Sequence, residues 1–405
     1  MNERGQLFAG ALRKLTGASE AAAGRFPPWS RTLLTLLAIL SCIYLTYVRT
    51  ALATGHLIDE RTWVDRSLKS LWGPPYDDRM RYYAVHHPSF ARIVYGFTLH
   101  RMGVYEFNAP LVDYTQTKEW NFERGAFVPR EIEIPLRMVN VAFLSGMIAF
   151  VYFGIKRIFG NRALAFAACL PLLFNYPIRD GACSYIGTDS MLLFWLAAFW
   201  YVWTFAARKG TLGVLALAAV GGFLISTKVN GAFVVAGSCV YYAATARGMR
   251  RLWWPAMILA VSGAIFVALN PVYRANDLAW AIKVARSVVQ TMFTLKEKST
   301  AHDWAQFTRA EVLKESLPYW FFYMPALAVM LGARKEWWFW PTAAWAGAAV
   351  IFNWVLIYIP LLRYSAPISM SFLVLFAAAG IHVILDTYRG SRQGEDGARG
   401  RTGGG

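Results

Sequence analysis

The sequence predicts an all-α, polytopic membrane protein with about ten transmembrane helices. Of its 405 residues, 57% are hydrophobic and 16% aromatic, the mean hydropathy is +0.35, and several apolar runs approach bilayer length. A membrane helix needs roughly 20 apolar residues. This composition excludes a disordered chain, a collagen-like chain and a small disulfide scaffold, and it argues against a soluble globular protein.

Ten apolar segments are long enough to be candidate spans. The first, Leu33–Val48, lies between Arg31 and Arg49. We expect it to be retained as a membrane helix, because no small-residue cleavage site follows it cleanly. The other nine segments are residues 135–155, 162–177, 188–206, 211–227, 230–246, 252–270, 317–333, 338–359 and 365–385.

The positive charge of the chain predicts its orientation. Segments on one side of the predicted membrane are the two tails and the loops near 156–162, 207–210, 247–251 and 334–336. They hold 19 Lys/Arg and 6 Asp/Glu, so +13 of the net charge of +17 lies on that side. Because cytoplasmic loops are enriched in Lys and Arg, we predict that both termini are cytoplasmic and that the charge does not indicate nucleic-acid binding.

Two segments on the other side are too long to be simple connectors. Residues from about 51 to 134 and from about 271 to 316 have mixed charge and a helical pattern, which predicts an extracytoplasmic cap. Residues 1–30 then form a basic tail, 31–388 the transmembrane domain with its outer loops, and 389–405 a Gly- and Arg-rich tail. The composition of this last segment predicts disorder.

Asp59 and Glu60 follow the first helix within about ten residues. A carboxylate at that place can accept a proton from a hydroxyl group. The alternative is that Asp59 caps the next helix and Glu60 is solvated. Apolar residues at helical spacing predict that this helix lies in the membrane interface: Trp63, Val64, Leu68, Leu71 and Trp72.

A second motif, His87-Pro88-Ser89-Phe90-Ala91-Arg92, lies further along the same outer segment. Pro88 predicts a helix start, and His87 and Arg92 offer charged donors to an anion. The alternative is an interfacial helix with snorkelling bases. The predicted apolar stripe of this helix consists of Phe90, Ile93, Val94 and Phe97.

Shorter motifs place further charges at the same surface. Asp189 lies at the outer start of a predicted helix, where a cap is the default interpretation. Lys228 lies in a tight outer turn, on the side that otherwise avoids bases. Arg274 and the pair Arg363-Tyr364 add more polar groups there.

The order of these motifs resembles the GT-C membrane glycosyltransferases, which include the aminoarabinose transferases of lipid A and the protein O-mannosyltransferases. Asp59-Glu60 matches the acidic pair that follows the first helix in that family. The stretch from His87 to Arg92 is similar to a His-Pro-Pro-Leu-x-Lys-like motif, although Ser89 and Phe90 depart from it. The resemblance covers about residues 31 to 385, and its later matches are Arg137, Asp189, Thr227-Lys228 and Arg363-Tyr364.

The resemblance implies an enzyme that transfers a hexose or pentose from a polyprenyl-phosphate carrier, with inversion, to an acceptor lipid, glycan or protein. The reaction would occur at the extracytoplasmic face of a plasma membrane, and an equivalent orientation in an endoplasmic reticulum is left open. Asp59 and Glu60 would be catalytic, and the expected substrate-binding residues are His87, Arg92, Lys228, Arg274, Arg363 and Tyr364. No cofactor is certain, and a divalent cation held by Asp59 and Asp189 is left open.

Two other classes remain as alternatives. A transporter or flippase also has many helices, but the chain shows no half-to-half repeat and few charges at the predicted midplane. A polymerase or ligase of surface polysaccharide also has a large outer loop. The acidic pair after the first helix favours the transferase over both.

Overall fold

The computed structural model describes residues 28–55, 58–71, 89–110, 113, 116–229, 231–270, 332–356 and 362–402. Within these ranges all regular secondary structure is helical. The all-α prediction is therefore confirmed for the part of the chain that the structure describes.

The described α-helices are numbered here in chain order. Helix α1 is Pro28–Ile43, and it continues through a π-helical turn, Tyr44–Val48, into Arg49–Ala53. The segment predicted to be extracytoplasmic contains α2 (Ile58–Leu71), α3 (Ser89–Arg101) and α4 (Lys118–Glu123). The end of the helix bundle at which these helices lie is called the outer end below, after that prediction. The remaining helices are α5 (Arg130–Phe159), α6 (Arg162–Phe174), α7 (Asp189–Ala206), α8 (Gly210–Thr227), α9 (Gly231–Thr245), α10 (Arg250–Leu269), α11 (Phe339–Leu356) and α12 (Leu362–Thr402).

The chain is a multi-pass membrane protein. Among the described residues, six helices are long and apolar enough to cross a bilayer: those of α1, α5, α7, α8, α10 and α12. Helices α6 and α9 are apolar but shorter. Nine of the ten predicted spans coincide with a described helix, whereas 317–333 and the second outer segment fall outside the described residues almost entirely. The total of ten therefore stays a prediction.

The last described helix extends into the C-terminal tail. Helix α12 continues to Thr402 and thus includes most of the segment 389–405, for which composition predicts disorder. Extending an existing helix adds one hydrogen bond for each residue fixed, whereas starting one is costly. The composition of residues 389–405 does not show that most of them continue a membrane helix.

The outer helices α2 and α3 pack on each other and on the bundle. Their contact is a small apolar cluster that includes Trp63, Val64 and Leu68 from α2. The helical prediction for α2 is confirmed, and Trp63, Val64 and Leu68 of its apolar face are covered by protein. The side chains of Leu71 and Trp72 lie outside the described residues.

The face of α3 that is buried in protein differs from its predicted apolar stripe. Phe97 is 59% exposed, whereas Ala91, Tyr95 and Leu99 are fully buried. Helix α3 lies between α2 and the bundle, so it must bury a face that contains the polar Tyr95 as well as apolar residues. A stripe of apolar residues alone does not identify that face.

Glycines allow close approach between bundle helices. A Cβ atom built at Gly222 of α8 would lie 2.6 Å from Cβ of Ile265 in α10. A Cβ atom at Gly146 of α5 would lie 2.5 Å from the ring of Phe194 in α7. Small residues at such contacts let membrane helices pack backbone to backbone.

Basic residues in the last turn of α5 and directly after α7 lie against the faces of aromatic rings. The Arg208 guanidinium lies 3.5 Å from the ring centroid of Trp337, and that of Arg157 lies 4.1 Å from the ring centroid of Phe205. Cation–π contacts of this kind favour Arg over a ring face. These bases belong to the segments for which charge counting predicts the cytoplasmic side.

Gly222→Ala is expected to destabilise the protein, because the added methyl group would overlap Ile265. Overpacking costs about 1–3 kcal/mol. Thermal unfolding in detergent measures this cost. The matched control is Gly263→Ala in α10, where a Cβ atom meets nothing within 4 Å. Equal stability of the two variants would contradict the close approach of α8 and α10.

Candidate functional site

A buried arginine joins three outer elements near the end of α1. Arg137 of α5 is fully buried, and its Nη1 donates to the carbonyl of Thr54 at 2.6 Å. Its Nη2 donates to the carbonyl of Gly55 at 2.8 Å and to Glu60 Oε2 at 2.9 Å. The same Nη2 is 2.5 Å from Oε1 of Glu133, one turn earlier in α5. The carbonyls of Thr54 and Gly55, which follow the last turn of α1, thereby have donors.

Arg130 extends this network toward the surface. Its guanidinium donates to the carbonyls of Leu52 and Thr54, and it pairs with Glu133 at 2.9 Å. Two bases thus face the buried carboxyl groups of Glu60 and Glu133. A buried charge needs such pairing, because removing it from water carries a large cost.

Glu60 is buried and is not the solvated residue of the alternative interpretation. Its Oε1 accepts from the backbone N–H of Ile186 at 2.9 Å and from Nε of Arg137 at 3.2 Å. Burial raises the pKa of the Glu60 carboxyl to about 8, and the Arg137 guanidinium opposes this rise. Since its oxygens face donors from α5 and from the segment before α7, Glu60 fixes the first turn of α2. Asp59 is the second residue of that helix, and its side chain lies outside the described residues.

Asn140 of α5 holds the segment that leads into α7. Its Nδ2 donates to the carbonyls of Cys183 and Tyr185 at 3.2 and 2.8 Å. Its Oδ1 accepts from Ser190 Oγ at 2.7 Å and from the Tyr95 hydroxyl. Both donors and both acceptor positions of the amide are used. The start of α7 is therefore fixed relative to α5 and α3.

Asp189, the first residue of α7, forms a buried ion pair with Lys228. The Lys228 Nζ lies 2.8 Å from Asp189 Oδ1, and the two side chains are 12% and 4% exposed. Lys228 directly follows α8, so the pair closes the outer end of the antiparallel helices α7 and α8. The sequence singles out both residues separately, and the structure places them together.

Arg92 of α3 is also buried, with 1% of its surface exposed. Its Nη2 donates to Ser89 Oγ at 3.1 Å. The alternative of a snorkelling surface base is therefore wrong for Arg92. Phe90 next to it packs against Phe143, Trp195 and Phe223, with ring centroids 5.6–6.2 Å apart, which seats the start of α3 on the bundle.

Some predicted site residues cannot be placed. His87 and Arg274 lie outside the described residues, and Arg363 and Tyr364 lie in the first turn of α12 without described side chains. Within the described ranges, no three His, Cys, Asp or Glu residues lie close enough to hold a metal ion. The metal proposed for Asp59 and Asp189 is left open.

Sequence reasoning missed Glu133 and Asn140 as members of this outer cluster, and it did not single out the buried side chain of Asn270 at the end of α10. Each is a buried polar side chain in or beside an apolar helix. Burying a polar side chain near a membrane costs free energy, so such a residue in an apolar sequence indicates a specific structural or functional role.

Two solved structures have a similar fold. ArnT from Cupriavidus metallidurans, bound to undecaprenyl phosphate, matches with a TM-score of 0.55 and 15% identity, over 87% of this chain and 60% of that chain. The oligosaccharyltransferase AglB from Archaeoglobus fulgidus, with an inhibitory peptide and a dolichol-phosphate, matches with a TM-score of 0.54 and 12% identity, over 91% of this chain and 52% of that chain. The chain is thus clearly shorter than both. Its fold is that of the GT-C membrane glycosyltransferases.

The sequence profile of the dolichyl-phosphate-mannose-protein mannosyltransferase family matches residues 73–281, just over half of the chain. The chain belongs to this family. The resemblance that the motif order indicates is thereby confirmed. No curated protein matches the chain in sequence.

Arg137→Gln is expected to destabilise the fold strongly, since it leaves the carboxylates of Glu60 and Glu133 buried without their shared partner. Removing one partner of a buried pair costs about 3–5 kcal/mol. Thermal unfolding in detergent gives the value. The control is Lys69→Gln, which breaks the exposed pair with Asp65 and should cost less than about 1 kcal/mol. Similar losses in both variants would contradict the role of Arg137.

Proposed function

We propose that the protein is a membrane glycosyltransferase that moves a sugar from a polyprenyl-phosphate carrier to an acceptor at the extracytoplasmic face. One observation carries this proposal. The buried Lys228–Asp189 pair lies at the end of the bundle where Glu60, beside Asp59, binds the segment leading into α7. In a chain of this family and fold, that end of the bundle carries both a candidate general base, Asp59, and cationic side chains that can bind a phosphate.

The proposed reaction is a single displacement. An acceptor hydroxyl attacks the anomeric carbon, its proton passes to Asp59, and the bond from that carbon to the phosphate oxygen breaks. The lipid phosphate leaves with its electron pair, so the configuration at the anomeric carbon inverts. General base catalysis and stabilisation of the leaving phosphate are the two contributions required of the protein.

Each residue has a distinct proposed role. Asp59 is the base, and Glu60 orients it by fixing the first turn of α2. Lys228 and Arg92 bind the phosphate of the lipid-linked donor, both before and while it leaves, and Asp189 holds the Lys228 ammonium in place. His87, Arg274, Arg363 and Tyr364 remain proposed members of the substrate site.

The family suggests mannose as the first sugar to test, and a lipid, glycan or protein as the acceptor. The positive-inside pattern supports cytoplasmic termini in a plasma membrane and an outward-facing site. Family membership favours transfer over transport or flipping, and no described feature favours a polymerase or ligase.

Asp59→Asn is expected to lower kcat by about 10²–10⁴-fold, the usual contribution of a general base. Transfer of labelled mannose from polyprenyl-phosphate mannose by the purified protein measures this effect. The control is Asp65→Asn, an acid on the same helix that pairs with Lys69. A wild-type rate for Asp59→Asn would remove Asp59 from the mechanism. Mass spectrometry of envelope lipids and glycans after gene deletion would identify donor and acceptor from the missing sugar.

Lys228→Gln is expected to raise the KM for the lipid-linked donor at least about tenfold, because it removes a cation from the phosphate site. The double variant Lys228→Gln/Asp189→Asn avoids an unpaired buried carboxylate and should show the same donor defect with a more stable fold. The control is Lys209→Gln, an exposed base just before α8 at its opposite end. An unchanged KM in the double variant would exclude Lys228 from donor binding.

A further inference from the structure

Asn270 joins three elements at the outer end of the bundle. It follows α10 directly and precedes Pro271, where the second predicted outer segment begins. Only 1% of its surface is exposed. Its Oδ1 accepts from the backbone N–H of Ser89 at 2.6 Å, and its Nδ2 donates to the carbonyl of Phe266 at 2.6 Å.

The bond to Ser89 caps the start of α3. The first N–H groups of a helix have no intrahelical acceptors and are usually satisfied by a neighbouring side chain. In α3 the acceptor belongs to a residue 181 positions away in sequence. Ser89 in turn accepts from the Arg92 guanidinium through its Oγ. The position of the first turn of α3, and of Arg92, therefore depends on Asn270.

The same amide reaches the element that carries Lys228. Nδ2 of Asn270 lies 3.5 Å from Oγ of Ser226, which is fully buried and two residues before Lys228. A path of buried hydrogen bonds thus runs from Arg92 through Ser89 and Asn270 to the end of α8. Both cations belong to the proposed phosphate site, and they come from parts of the chain more than a hundred residues apart.

We propose that Asn270 is a positioning residue that sets the separation of Arg92 and Lys228, and hence the fit of the donor phosphate between them. It acts through Ser89 and Ser226 and does not touch the substrate. This proposal rests on the proposed function. Two cations act together on one phosphate only when their separation is held in advance of binding, which is what the amide provides.

Three variants separate positioning from general packing. Asn270→Ala removes every side-chain bond, whereas Asn270→Asp keeps an oxygen for the Ser89 N–H and loses the two donor contacts. The matched control is Ser262→Ala, because Ser262 is equally buried in α10 and its Oγ donates to the carbonyl of Ala218 in α8 at 2.7 Å. It bridges the same two helices without contact to α3.

The first measurement is the transfer of mannose from polyprenyl-phosphate mannose by purified protein in nanodiscs. Asn270→Ala should raise the donor KM about tenfold while kcat changes by less than about threefold, the pattern of lost ground-state binding. Asn270→Asp should raise the donor KM less than Asn270→Ala does. Ser262→Ala should keep the wild-type donor KM. A wild-type KM in Asn270→Ala, or an equal rise in Ser262→Ala, would overturn the proposal.

The second measurement needs no substrate. Hydrogen exchange should show faster exchange of the amides in the first turn of α3 in Asn270→Ala, but not in Ser262→Ala, since local opening determines exchange. If the wild-type protein uses no polyprenyl-phosphate sugar, the proposed function fails, and with it the phosphate role of Asn270. Exchange then still decides whether Asn270 holds α3: unchanged exchange at Ser89 would disprove that contact too.

Discussion

The outer half of the protein depends on the buried guanidinium of Arg137. It binds two carbonyls at the end of α1, the carboxylate of Glu60 in α2 and that of Glu133 in its own helix. A planar group with five donors can satisfy such a set at once, which an ammonium cannot. Pairing of this kind adds little net stability over an apolar core, because desolvation offsets most of the attraction. The main effect of the Arg137 contacts is on geometry, because they hold the end of α1 in one position relative to α5.

Contacts of Glu60 and Asn140 connect the end of α1 to the residues that are proposed to act on the substrate. Glu60 binds the backbone of Ile186, three residues before Asp189, and Asn140 binds the carbonyls of Cys183 and Tyr185 in the same segment. The residues proposed to act on substrate are thus set by contacts to main-chain groups, which no side-chain motif records. This explains how short, separately weak motifs from distant parts of the chain meet at one end of the bundle.

Much of the fold follows from the sequence, because apolar length and basic loops are direct physical requirements of a bilayer. The meeting of Asp189 and Lys228 also follows from the pattern. Helices α7 and α8 each have 18 residues and are joined by a short turn, so the start of one and the end of the other lie at the same level. Sequence reasoning failed for α3, whose buried face contains Tyr95 and Arg92. It also failed to connect Asn270 to Ser89, because that contact depends on how α3 is seated against two distant helices.

The contacts of Glu60 also constrain the order in which the protein is assembled. A ribosome delivers α1 and α2 to the membrane before either Arg137 or Ile186 exists. Until α5 and the segment before α7 have been inserted, the Glu60 carboxylate has neither of the partners that hold it in the finished protein. Helix α1 has a flank of exposed leucines, among them Leu33, Leu37 and Leu40, so lipid can hold it in the meantime. The outer end of α1 and the first turn of α2 can therefore settle only late in biogenesis, after nearly half of the chain has been made.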